Sequence, residues 1–168
     1  GGLVTSTDSG LSVPDWPTSY GWSMFAFPLD KMVGGIFYEH GHRLIASTVG
    51  MLTIALAVWL WFADRRAWLR RLGVAALAAV IAQGLLGGLT VLFFLPAPIS
   101  VAHAGLAQIF FSLTVAIALF TSRGWRGAPA RPPVDDPLLR RIATTTTAAI
   151  YVQILVGATM RHTGSGLA

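Results

Sequence analysis

Apolar positions along this chain gather into four long runs separated by short polar breaks. They fall at 36–62, 72–95, 99–121 and 139–160. Each run is close to the ~20 residues that a helix needs to cross a lipid bilayer. The breaks carry the usual stop signals. Asp64-Arg65-Arg66 and Arg70-Arg71 lie between the first two runs, and Pro96 and Pro98 end the second. A linker at 122–138 holds four prolines, and Arg140-Arg141 opens the last run. Thr144 to Thr147 form a polar patch in that run, which a span tolerates because Thr hydroxyls bond their own helix backbone. Residues 1–35 are polar and rich in Gly, Ser, Thr and Pro, with Trp16, Tyr20, Trp22, Phe25 and Phe27 scattered among them. They read as an outer interfacial loop, since aromatic rings settle at the membrane surface. The alternative is an ordinary surface loop with a few buried aromatics. Residues 161–168 read as the start of a second outer loop.

Composition agrees. Of 168 residues, 54% are hydrophobic and 11% charged, whereas a soluble domain carries about a quarter charged. The predicted fold is an all-α integral membrane protein built as a transmembrane four-helix bundle. There is no cysteine, which excludes disulfides, zinc thiolates and Fe–S clusters.

The net charge of +5 raises the question of nucleic acid, but the placement of the charges answers it. Nine of the twelve basic residues lie at 65–71 and 123–141, and the rest are Lys31, Arg43 and Arg161. By the positive-inside rule the two basic loops are cytoplasmic, and residues 1–35, Pro96-Ala97-Pro98 and the C-terminal end face outward. The basic charge sets topology and makes no nucleic-acid patch.

An internal repeat is visible. Gly1 to Leu11 is echoed by Gly157 to Leu167 at an offset of 156 residues, and Gln83 to Gly88 more weakly by Gln153 to Ala158. A full repeat then holds about four spans. Both ends read as internal, so the chain is expected to be a fragment holding spans two to five of a duplicated, eight-span parent.

The chemistry concentrates at Glu39-His40-Gly41-His42-Arg43, where the first run begins. Ionisable side chains at a membrane edge are costly and point to function. Glu39 and His42 lie about 60° apart around a helix, and Arg43 about 40° from Glu39, so the three share a side. His40 is about 200° from His42, and its replacement is expected to do little. His103 sits at a depth similar to that of His42, on a span running the same way. Two helices each offering one imidazole can hold heme iron, with the ring near the outer face and its carboxylates in water. Ala102, Ala104, Gly105, Ala107, Gly84, Gly87 and Gly88 leave room for a ring, or equally for helix–helix packing. A His in a span can also serve only as a hydrogen-bonding residue. Gln83, Gln108 and Gln153 read as interhelical hydrogen-bonding residues, and His162 as solvated. Glu39 and Arg43 form a local ion pair, or Glu39 moves a proton or stabilises positive charge while Arg43 binds a propionate.

These residues carry a resemblance. Glu39-x-x-His42-Arg43, the opening Gly2-x-Val4-Thr5-x-x-x-Ser9-Gly10-Leu11-Ser12-x-Pro14-x-Trp16-Pro17, Gln83-Gly-Leu-Leu-Gly-Gly, His103-Ala-Gly-Leu-Ala-Gln108 and Arg161-His-Thr-Gly-Ser-Gly-Leu together resemble the heme A synthase family. The resemblance implies two four-helix halves, each with two heme-ligating histidines. It implies oxidation of the C8 methyl of heme O to the formyl of heme A by successive hydroxylations, with heme b as cofactor in the other half. It carries Glu39 over as the catalytic carboxylate, and His42 and His103 as axial residues for the substrate heme. Arg43 is the expected propionate contact. Many members have a cysteine pair where this chain has Thr18, Ser19 and Tyr20, so any match is to the cysteine-less variety. The expected partners are heme O, heme A, the bilayer, a heme O synthase, an electron donor and a second copy of the chain. The expected location is the cell inner membrane, with the site near the outer face. Two other readings stay open: a bis-His membrane cytochrome, and a heme-binding assembly factor without chemistry.

Overall fold

A computed structural model describes residues 1–127 and 136–165. Residues 128–135 of the expected linker and 166–168 of the expected second outer loop lie outside the described residues. The described residues form six helices and no named strand: α1 (Gly2–Ser6), α2 (Gly35–Ala63), α3 (Ala67–Leu92), α4 (Ala97–Thr121), α5 (Arg123–Gly127) and α6 (Pro137–Thr163). Single 3-10 turns at Met24–Ala26 and Leu29–Lys31 break the loop between α1 and α2.

Four of these helices, α2, α3, α4 and α6, are long and apolar enough to cross a membrane. The molecule is a helical membrane bundle. Its helix ends follow from local sequence. Pro98 sits in the first turn of α4, where its missing N–H costs nothing. Asp136 caps α6 by accepting from the N–H groups of Leu138 and Leu139, and Gly164 ends it in a left-handed conformation. Helix α3 starts before its apolar run, taking in Arg70 and Arg71, whose long stems let the charged heads reach the interface. It stops at Leu92, short of the expected residue 95, because Phe94 and Leu95 turn to φ of 57° and 58° ahead of Pro96.

Packing runs α2 on α3, α3 on α4, and α4 on α6. A Cβ at Gly105 would lie 2.8 Å from Leu155 and 3.1 Å from the Tyr151 hydroxyl, so a residue without a side chain permits the α4–α6 approach. The apolar core sits at one end, where Leu60, Leu69, Ala76 and Ile117 pack with Leu56, Phe110 and Phe120. Elsewhere large apolar side chains such as Ile45, Leu52, Ile81, Phe111 and Ile150 face outward, as lipid-facing positions do. The two copies of the repeat meet at equivalent positions, with the Arg161 guanidinium donating to the carbonyl of Thr5.

Candidate functional site

At the end away from that core, the loop before α2 is bound to α2 by one arginine. Arg43 Nη1 donates to the carbonyls of Asp15 (2.7 Å) and Thr18 (3.0 Å). Its Nη2 donates to the carbonyl of Val13 (2.7 Å) and to Glu39 Oε1 (2.7 Å). The other carboxylate oxygen of Glu39 accepts the Val13 N–H at 2.7 Å. Both side chains are buried, and a buried ion pair holds only when its remaining donors and acceptors are met. Here the loop backbone meets them. The local ion pair is therefore the arrangement present. All four terminal N–H groups of Arg43 are committed, which leaves Nε–H alone for the propionate contact expected of it.

The loop has its own brace. Asp15 accepts from Thr18 (2.5 Å), from Tyr20 N–H (2.7 Å) and from Gly21 N–H (2.9 Å). Burial by itself would raise its pKa, but the Gly21 N–H, the Thr18 hydroxyl and the Tyr20 N–H outweigh it and hold the carboxyl at about 2. The turn at Tyr20-Gly21, with both φ positive, closes a Ser19–Trp22 bridge. Trp16 then lies flat on α3. A Cβ on Gly88 would sit 2.5 Å from its indole, so only glycine admits the ring there.

His40 corrects its sequence reading. It is 1% exposed, its Nδ1 is 2.9 Å from Ser19 Oγ, and its ring lies 4.7 Å from that of Phe27. It faces away from His42, as the 200° separation requires, but the face it occupies is the packed seat of the loop. A residue read as neither ligand, catalytic group nor anchor is one of the largest fully buried side chains among the described residues.

His42 and His103 are the two imidazoles on the other side. His42 Nδ1 is 3.2 Å from the Gly1 nitrogen. His103, from α4, lies over α3, where a Cβ on Gly87 would come within 3.2 Å of its Cε1. Gln83 Nε2 donates to the carbonyl of His103 (2.9 Å) and stands 3.5 Å from its Nε2, so this glutamine does bridge helices. Among the described residues His103 Nδ1 and Gln83 Oε1 are buried without partners. Buried polar atoms are normally paired, so these unmet positions mark a place that a ligand can complete. Among the described residues no group of three or more His, Asp or Glu side chains could hold a lone metal ion. Two imidazoles suit a metal that brings its other ligands in a macrocycle, and Gly87 puts no side chain against Cε1 of the His103 ring. The structure thus joins Glu39 to Arg43 and the loop, and brings His42 within electrostatic reach of both His103 and Arg43. A recess around Asp64 and Arg126 lies at neither place but at the opposite end. The sequence reading gave Ser19 and Val13 no part in the site, and it placed Trp16 only as an interfacial aromatic and a motif residue. Their signals, a hydroxyl, a backbone N–H and an indole, say nothing until the loop is folded.

Comparison with known proteins bears on the whole chain. Relatives named heme A synthase include one from Shouchella clausii, 31% identical over 170 residues, covering 100% of this chain and 55% of the relative. Those from Symbiobacterium thermophilum and Bacillus licheniformis are each 29% identical, with the same coverage. The chain spans about half the length of the curated relatives it matches. No solved structure matches. The profile of one family, COX15-CtaA, described as cytochrome oxidase assembly protein, matches residues 1–168. A match from the first residue to the last, on a helical membrane bundle with its polar residues gathered as described, places this chain in the COX15-CtaA family of cytochrome oxidase assembly proteins.

Proposed function

We propose that this chain provides the heme O site of a heme A synthase-type membrane oxidoreductase, which converts the C8 methyl of heme O to a formyl group. The observation that carries the reading is the pair His42 and His103, donated by two helices, with an unpartnered nitrogen on His103. The names of the relatives supply the reaction class. In this reading His42 and His103 would hold the substrate heme by its iron. Glu39, one turn before His42, supplies the carboxylate. Val13 and Arg43 hold that carboxylate still, which suits a fixed negative charge aimed at positive charge developing on the substrate. Arg43 positions Glu39 and keeps Nε–H for a propionate. A heme b in the other half of the full protein supplies redox chemistry when bound.

The reading places the site near the outer face of the cell inner membrane, following the arginine bias. One observation favours a second reading, the bis-His cytochrome: Glu39 is fully satisfied by the loop, so a structural role alone would account for it.

The test is the heme extracted from cells making the full-length protein together with a heme O synthase. Formyl heme is expected, and accumulation of heme O alone would sink the enzyme reading. Glu39→Gln should keep bound heme but cut formyl production by about a hundredfold or more, on the scale of losing one preorganised electrostatic group. His42→Ala and His103→Ala should each alter the heme absorption spectrum. An unaltered spectrum removes that residue as a ligand.

A further inference from the structure

The end of the bundle remote from the histidines carries an arrangement that the proposed reaction does not use. The end of α2, the start of α3 and α5 meet around an open recess lined by Ala63, Asp64, Arg65, Arg66, Trp125 and Arg126. Its single acid is saturated. Asp64 Oδ1 accepts from Arg66 N–H (2.9 Å) and Nε (3.0 Å), and Oδ2 from Arg66 Nη2 (2.7 Å) and Arg126 Nη2 (3.0 Å). The Arg66 hydrogen bonds, foremost, hold the Asp64 carboxyl well below the usual carboxylate range, so its charge is permanent. Three arginines against one aspartate still leave the lining at a net +2.

Several donors there are free for a ligand. Among the described residues Arg66 commits one more N–H to the Phe120 carbonyl (3.0 Å), and Arg126 only the one to Asp64. Among the described residues no acid pairs with Arg65. The frame is rigid. The Arg66 guanidinium lies 5.5 Å from the Trp68 ring, Trp68 meets Phe120 edge-on at 4.9 Å, and Phe120 meets Trp125 edge-on at 4.9 Å.

We propose that this recess binds the headgroup phosphate of an anionic phospholipid. Fixed guanidinium groups match phosphate oxygens, and a net positive lining selects a headgroup without a cancelling ammonium. Two observations point to a lipid and not to free phosphate. Trp68 and Trp125 place the recess at the level where aromatic rings mark the membrane interface. Trp59 and Phe62, 73% and 83% exposed, continue from it along α2 as an apolar surface for acyl chains. The arginine bias puts this end on the cytoplasmic side, where anionic lipid attracts basic clusters.

The test uses the full-length protein purified in neutral detergent, with bound lipid counted by native mass spectrometry. Phosphatidylglycerol should be retained over phosphatidylcholine, and an excess of inorganic phosphate should not displace it. Arg65→Gln, whose side chain makes no hydrogen bond or ion pair among the described residues, and Arg126→Gln should each lower phosphatidylglycerol retention by about fivefold. Arg65→Lys should restore most of it. Equal retention of the two lipids, or wild-type retention by both Gln variants, would overturn the assignment. Displacement by phosphate at equal concentration would overturn it in favour of a simple anion site.

Discussion

Ser19 Oγ and His40 Nδ1 stand 2.9 Å apart, and both residues are buried to within 1% of their surface. This contact joins the tip of the loop to the first turns of α2, on the face of the helix opposite His42. It makes His40 a stabilising residue. His40→Ala leaves a cavity against Phe27 and strips Ser19 of its partner, and should cost roughly 2–4 kcal/mol. Ser19→Ala should cost about 1 kcal/mol. Thermal unfolding of the two variants in detergent checks this, and a His40→Ala protein as stable as wild type would refute it.

Arg43 serves four acceptors through a planar fork. A lysine offers three donors from one point and cannot reach the carbonyls of Val13, Asp15 and Thr18 together with Glu39. Arg43→Lys should therefore fail to rescue, and Arg43→Ala should cost about 3–5 kcal/mol, because it leaves Glu39 charged and buried. Hydrogen exchange at the Val13 amide reads the outcome directly. Protection is expected to vanish in Arg43→Ala, and retained protection would show that the clamp does not depend on Arg43.

Asp15 gives the loop a pH dependence of known sign. Its folded-state pKa, about 2, lies below the ordinary 3.8. The stability it contributes is present above 3.8 and is lost as pH falls through that value toward about 2. The amides of Tyr20 and Gly21 should lose exchange protection over this window in the wild type. In Asp15→Asn the protection should be low at every pH, with no step there.

Gly88 and Trp16 form a pair that a double-mutant cycle can isolate. Gly88→Ala drives a methyl to 2.5 Å from the indole and should cost about 1–3 kcal/mol. In a Trp16→Leu background most of that cost should disappear. Equal costs in both backgrounds would mean that the ring does not depend on this glycine.

Much of the architecture was legible because it depends on local rules. Length and apolarity mark a span wherever it occurs, and capping signals such as Asp136, Pro98 and Gly164 act within one turn. The exceptions were at helix ends. Arg70 and Arg71 looked like loop residues, yet their stems allow α3 to begin earlier. Phe94 and Leu95 looked apolar enough to extend it, yet the left-handed turn before Pro96 ends it first.

The site divides in the same way. That Glu39, His42 and Arg43 share a side of α2 and that His40 does not was readable from the residues alone, because helical period fixes angles about a single axis. The same reading offered His103 as a candidate second imidazole by depth. It did not determine what occupies each side. Folding in three dimensions brings the carbonyls of Val13, Asp15 and Thr18 to Arg43, sets Ser19 against His40, and lays Trp16 in the place left by Gly88. These are contacts of loop backbone and side chains 21 to 72 positions distant in sequence. No period relates such positions, and they are fixed only when buried polar groups must find partners in three dimensions.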